Sequence, residues 1–180
     1  MITLELSPYR KARVWLGELP DLGYEVKETV EDVIEVGASA VTGVRRAAIE
    51  LYLYTGPRDL YGLLGATLTP DRSGRLMLQV AASDDDGKPV DWSLASHIDD
   101  VRVGLPRQYA ESVFDGAAGT HEIRGLGSGV LRFDRAAHGR VGSASIVFRQ
   151  IAGSLVRLLA AGAESISVEE LERYLQSSAR

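Results

Sequence analysis

Apolar and polar residues alternate over Ile2 to Leu6, where Ile2, Leu4 and Leu6 flank Thr3 and Glu5, the period-2 pattern of a half-buried strand. Ser7 and Pro8 end it. Between Arg10 and Gly37 the pattern is weak: Gly17, Pro20 and Gly23 argue against long regular elements before Tyr24. Tyr24 to Val30 reads as a strand, and Val30 to Val36 suits helix and strand equally. Ala48 to Tyr54 (AIELYLY) is a strand with Ile49, Leu51 and Leu53 on one side and Glu50, Tyr52 and Tyr54 on the other. GATLT and RLMLQVAA flank Pro70-Asp71-Arg72-Ser73-Gly74, a set of turn residues that predicts an antiparallel hairpin with Leu76, Leu78 and Val80 facing the core.

Val101 and Val103 give a last short strand before Pro106, which fits the first position of a helix. Tyr109, Ala110, Val113 and Phe114 share one face of that helix, and Gly116 supplies its stop. Val130 to Asp134 alternates as a strand. Ser143 or Ser145 then caps a helix whose apolar stripe is Val147, Ile151, Leu155, Leu158 and Leu159. Ser167 and Glu170 form a capping box for a final helix buried through Val168, Leu171 and Leu175. The expected architecture is α+β: a two-layer sandwich whose sheet of four or more strands carries helices at about 106–116, 143–161 and 167–178 on one face.

A chain of 180 residues that is 45% hydrophobic suffices for one domain with a substantial core. Its 20 basic and 25 acidic residues give a formal charge of -5, which argues against a nucleic-acid-coated protein, and no DNA partner is expected. The absence of cysteine removes disulfides and thiolate metal sites and suits the cytosol. The N-terminus lacks a secretory apolar region, and no run reaches the ~20 apolar residues of a membrane span.

GLPRQYAESVFDG, from Gly104 to Gly116, resembles the segment opening the first helix of domain IV in translation elongation factor G, with its Pro-x-x-Tyr-x-x-x-Val-x-x-Gly pattern. Ser143 to Leu155 resembles that domain's second helix, whose core reads Ile-Ala-Gly-Ser. The resemblance implies a ribosomal protein S5 domain 2-like fold, a four-stranded sheet with two helices on one face and a left-handed crossover. It implies a 46–180 domain of this type preceded by a 1–45 extension packed on the core. Between these helices that family places a strand and then a loop at the domain's tip, and LRFDRAAHGRVG, Leu131 to Gly142, stands in that place. No Gly-x-x-x-x-Gly-Lys-Ser/Thr loop is present, so no GTPase is implied, and the acidic pair expected before the second helix is replaced by Val141 and Gly142.

The arginine loops offer one candidate site. Arg132, Arg135, His138 and Arg140, joined by Arg72 and Arg75 from the hairpin turn, form either a basic knob for RNA phosphates or a solvated strand end. Aromatic residues for base stacking are missing from both loops. Gly142-Ser143 opens a helix and suits either an anion cradle or a plain cap. Gly125 to Gly129 is glycine-rich but runs into a strand, unlike the phosphate loop of small-molecule kinases. Asp84, Asp85 and Asp86 read as a solvated turn, and His97, His121 and His138 lack metal-ligand spacing. No cofactor, metal or catalytic triad is expected. Tyr52 and Tyr54, with Trp15 or Trp92, mark either an interface or a surface covered by the N-terminal region. The expected function is a non-enzymatic cytosolic binding module with an unknown protein partner; the alternatives are a ribosome- or RNA-associated protein and a small enzyme with a scattered site.

Overall fold

The computed structural model describes residues 1–37, 41–162 and 166–176. Eight strands form one sheet: β1 (Ile2–Ser7), β2 (Arg10–Leu16), β3 (Glu28–Glu35), β4 (Arg45–Tyr54), β5 (Asp59–Pro70), β6 (Arg75–Ala82), β7 (Val101–Val103) and β8 (Gly129–Gly139). Among the described residues three α-helices accompany them, α1 (Arg107–Ala118), α2 (Ser145–Ala161) and α3 (Val168–Gln176), with a 3-10 turn at His121–Leu126. The strand order is β1-β2-β4-β5-β8-β6-β3, with β7 paired to the end of β8. The α+β expectation holds in these terms. Residues 1–45 do more than pack on a core, since β1 and β2 extend the sheet beyond β4 while β3 forms its other edge.

β5 and β6 are not a hairpin. β8 lies between them, antiparallel to β5 and parallel to β6. The residues at 70–74 do form a turn, but it bridges over an inserted strand. The second departure is β2, a regular strand in a region where glycine and proline argued against one; the punctuation at Gly17 and Pro20 falls just past its end. Val30 to Val36 resolves as strand because its inward residues Val30 and Ile34 pair with Val80 and Leu76 of β6.

Inward residues of β2, β4, β5, β6 and β8 make one core with α1, α2 and α3, which includes Leu51, Leu64, Leu78, Phe133, Phe148 and Leu155. Tyr109 of α1 stacks on Phe148 of α2, ring centroids 4.8 Å apart. The two helices approach through glycine. A Cβ on Gly116 would lie 2.2 Å from the Arg149 carbonyl oxygen, and one on Gly153 would lie 3.0 Å from Thr120 Oγ1. Gly116 is therefore a contact residue and not the expected stop; α1 continues to Ala118, and the Gly119 N–H bonds the Asp115 carbonyl. Pro106 is the cap of α1, one residue ahead of its expected place. Ala144 caps α2 without a side-chain hydrogen bond, because Ser143 Oγ instead donates to the Tyr61 carbonyl and accepts from the Gly139 N–H. The Ser167–Glu170 box is formed as read, with the Glu170 N–H 3.2 Å from Ser167 Oγ; residues 177 and 178 of the expected last helix lie outside the described residues.

The opposite face of the sheet is only half covered. Residues 17–27 cross it as a strap, which places Leu19 against Gly65 and Gly23 against Arg135. Residues 83–100 cover the end beyond the strap, where Trp15, Tyr61, Leu63, Val90, Ala95 and Ala137 form a second, smaller core.

The close helix approach generates a test. Alanine for glycine inside a helix ordinarily stabilises by up to ~1 kcal/mol. Gly116→Ala is expected to reverse that sign and cost about 2 kcal/mol, because its methyl group meets a helix backbone that cannot yield. Gly125→Ala, with nothing within 4 Å, should stay within about 0.5 kcal/mol of the parent in urea denaturation.

Candidate functional site

Tyr52 and Tyr54 alternate with the inward Leu51 and Leu53, so β4 directs both tyrosines to the outer face. Register brings a third tyrosine to them. The Tyr54 N–H bonds the Tyr9 carbonyl at 2.8 Å, and the two rings stack 5.9 Å apart at 28°. Tyr9 is 62% exposed and Tyr54 48%. Tyr52 is half-buried under His97, rings 6.1 Å apart at 60°, and Ile98 beside it in the chain is 47% exposed. Burial, then the neighbouring Asp59 carboxylate, pushes the Tyr52 hydroxyl above its ordinary pKa, so it remains a neutral donor at physiological pH. The result is a tyrosine-lined end of the sheet, ring faces and edges turned to solvent.

What holds His97 there is Glu50, a carboxylate with no exposed surface. Its Oε1 accepts from Tyr61 Oη at 3.0 Å and from the Leu94 N–H at 2.8 Å, and its Oε2 faces Arg13 at 3.2 Å. The same guanidinium donates to the Trp92 carbonyl at 2.8 Å, and the Trp92 ring meets Trp15 edge-on. The 91–95 turn is thus fastened to the sheet by one buried acid, and His97 follows. Burial raises the Glu50 pKa despite the donors and Arg13 acting against it. Alternation placed Glu50 on the polar side of β4 and gave no signal for burial, because the cover comes from a segment forty residues away.

The arginine reading fares differently. The strand expected at Val130 to Asp134 runs on to Gly139 as β8, paired on both edges, so the expected tip loop begins only at Arg140. Arg72 and Arg75 are exposed at the turn beside Gly129, while Arg140 follows Gly139 at the other end of β8. Ten strand residues separate those ends by roughly 30 Å. Between them Arg132 and Arg135 each sit 3.2 Å from Asp134, and Arg132 also donates to Gln79 Oε1. Arg140 lies 3.8 Å from Asp100. His138 is 3% exposed, its Nδ1 3.0 Å from the Gly104 carbonyl, and cannot meet a phosphate. The six residues do not converge into one knob.

The anion cradle at Gly142 is occupied by the chain itself. Asp99 Oδ2 accepts from the Gly142 N–H at 2.7 Å, and the same carboxylate takes the Val141 N–H. Gly125 to Gly129 runs from a 3-10 turn into β8, as its alternation implied. Asp84, Asp85 and Asp86 are exposed, and Asp84 and Asp86 border a cleft of about 460 Å³ beneath the strap, where Lys27 pairs with Glu25 at 2.7 Å. No helix among the described residues is long and apolar enough to cross a membrane.

Two buried groups give opposite pH signatures. Burial depresses the His138 pKa, so the unfolded chain takes up that proton first, and stability is lost as pH falls below about 6.5. His138→Asn keeps an N–H donor and is expected to flatten the fall in Tm between pH 7 and pH 5 relative to the parent. The raised Glu50 pKa acts the other way: stability is lost as pH rises from its unfolded value near 4.5. Glu50→Gln should therefore gain on the parent with rising pH across that range in parallel thermal melts. Comparison of the chain with family models, with curated proteins and with solved structures returns no match in any of the three.

Proposed function

We propose that this protein is a non-enzymatic binding module that docks a protein partner on its tyrosine-lined sheet end. The observation that carries the reading is the exposed Tyr9–Tyr54 stack with Tyr52 and His97 beside it. Tyrosine supplies a large contact area at low side-chain entropy, and aromatic residues dominate interface hot spots. A rigid strand and the fastened 91–95 turn hold these rings in place before binding, so little ordering cost falls on association. The occupant we assign is a protein segment that lays an apolar or proline side chain across the stacked rings.

We further propose that residues 46–180 adopt a ribosomal protein S5 domain 2-like fold akin to domain IV of elongation factor G. Three strands, a helix, a strand and a helix come in the order β4, β5, β6, α1, β8 and α2, with the short β7 inserted before α1 and a 3-10 turn after it. Their sheet order is β4-β5-β8-β6, with α1 linking the parallel pair and both helices on one face. The likeness concerns shape. It brings no ribosomal role with it, and the dispersed arginines do not favour RNA over protein.

Immobilised parent protein, a Tyr9→Ala/Tyr54→Ala variant and an Arg72→Glu/Arg75→Glu variant form the test. The expected result is a protein retained by the parent and the arginine variant, lost from the tyrosine variant, and bound at least tenfold more weakly by the latter when purified. Equal retention by all three would overturn the proposal, and loss from the arginine variant alone would transfer function to the basic turn.

A further inference from the structure

No segment among the described residues covers the half of the outer face below the strap, and its side chains are ordered by register. One row across five strands reads Arg46, Thr67, Arg132, Gln79 and Glu31. The row is a bonded ladder on one side, with Arg132 donating to Gln79 Oε1 at 3.1 Å and Gln79 Nε2 donating to Glu31 Oε2 at 2.9 Å. The next row reads Thr69, Val130, Met77 and Val33. Here Val33 is 42% exposed and Met77 36%, although both stand on regular strands of the sheet. They border a shallow hollow of about 210 Å³, closed by Gly129 and Val130 on one side and Arg75 on the other. Charge is therefore divided across this face. It is basic toward β4, at Arg46, and acidic along β3, where Glu31 and Glu35 stand outward, Glu35 opposite Arg75 of β6.

We infer that this bare half-face is the contact between two copies of the chain, packed sheet to sheet about a two-fold axis running along β8. Such an axis maps each strand on one side of β8 onto its counterpart on the other. β3 of one copy lies over β4 of the second, which sets Glu31 against Arg46 twice, once in each direction. β6 lies over β5, so Met77 meets Thr69, and Val130 meets its own symmetry mate. Arg132 meets its own symmetry mate, each guanidinium already balanced by Asp134. The face thus complements itself in charge and in apolar rows, and that self-complementarity is why a second copy is the assigned occupant. A foreign partner would have no reason to match the division of charge in this order.

Five strands spaced ~4.8 Å and three outward rows give roughly 500 Å² per copy, at the low end for a specific contact. The dimer is accordingly weak and forms at high micromolar concentration. It lies on different rows from the tyrosine end, at the other end of β4, and stands or falls separately from it.

Sedimentation velocity from ~10 to ~500 µM at low ionic strength tests the inference, with Tm confirming that each variant is folded. The parent is expected to show a concentration-dependent monomer–dimer equilibrium. Met77→Asp should leave only monomer over the whole range. Glu31→Arg and Arg46→Glu should each weaken the dimer by about tenfold, since each places two like-charge pairs across the axis. The combined Glu31→Arg/Arg46→Glu chain should regain the parent's association, because the reversed pair is restored on both sides. A parent that stays monomeric at ~500 µM, a dimer untouched by Met77→Asp, or a combined variant no better than the single ones would each overturn the inference.

Discussion

β8 is the strand on which everything else is hung. It pairs along both edges, with β5 on one side and with β6 and then β7 on the other, so its backbone groups are consumed within the sheet. Inserting it obliges the 70–74 turn to reach over two strand spacings, and the entry point is tight. Gly129 has φ +150°, and a Cβ there would fall 2.3 Å from the Thr69 carbonyl oxygen, so only glycine admits the chain. Ser128 closes the entry by donating from Oγ to the Asp71 carbonyl, while its own carbonyl receives the Asp71 N–H. Because β6 and β8 run parallel, the link between them must cross a face of the sheet, and α1 supplies the crossing.

From that arrangement the two faces acquire different characters. The helix face is filled by α1, α2 and α3 against a continuous apolar layer. The outer face is covered only where the strap and the 83–100 segment pass, and their fastening is electrostatic as much as apolar. Glu50 gives up hydration entirely and regains it through Arg13, Tyr61 Oη and a backbone N–H. Such an arrangement contributes less to net stability than to position, since removal of one partner strands the other in an apolar site. Its structural product is a fixed turn that sets His97 over Tyr52. The tyrosine end and the bare half-face are what remains of the sheet once this cover ends.

The residues that resemble domain IV of elongation factor G have packing duties here. Tyr109 stacks on Phe148, Gly116 and Gly153 permit the two helices to touch, and Ser154 Oγ bonds the Tyr174 carbonyl to hold α3 on α2. A motif of this kind speaks to shape, because the same close approach needs the same small residues wherever two helices cross a sheet in this way.

Local chemistry was enough to place most elements and their buried sides. Period-2 alternation marked β1, β4, β6 and the first part of β8; helical periodicity marked α1 and α2; and Ser167 with Glu170 fixed the start of α3, all within a few residues. Tyr52 and Tyr54 were legible as outward aromatics for the same reason. Pairing was not legible, because strand order is a matter of contacts between residues far apart in the chain, and a turn rich in glycine and proline looks alike whether it joins neighbours or steps over a third strand. Arg135 and His138 therefore read as a loop after the strand, although β8 continues through them. Burial of Glu50, closure of the Gly142 cradle by Asp99, and the arrival of Tyr9 and His97 beside the tyrosines likewise depend on segments brought together only by the folded sheet. The sequence determined which side chains each element offers; the tertiary structure decided which of them meet, because solvent exclusion and cross-strand register are properties of the assembled sheet and of no single stretch.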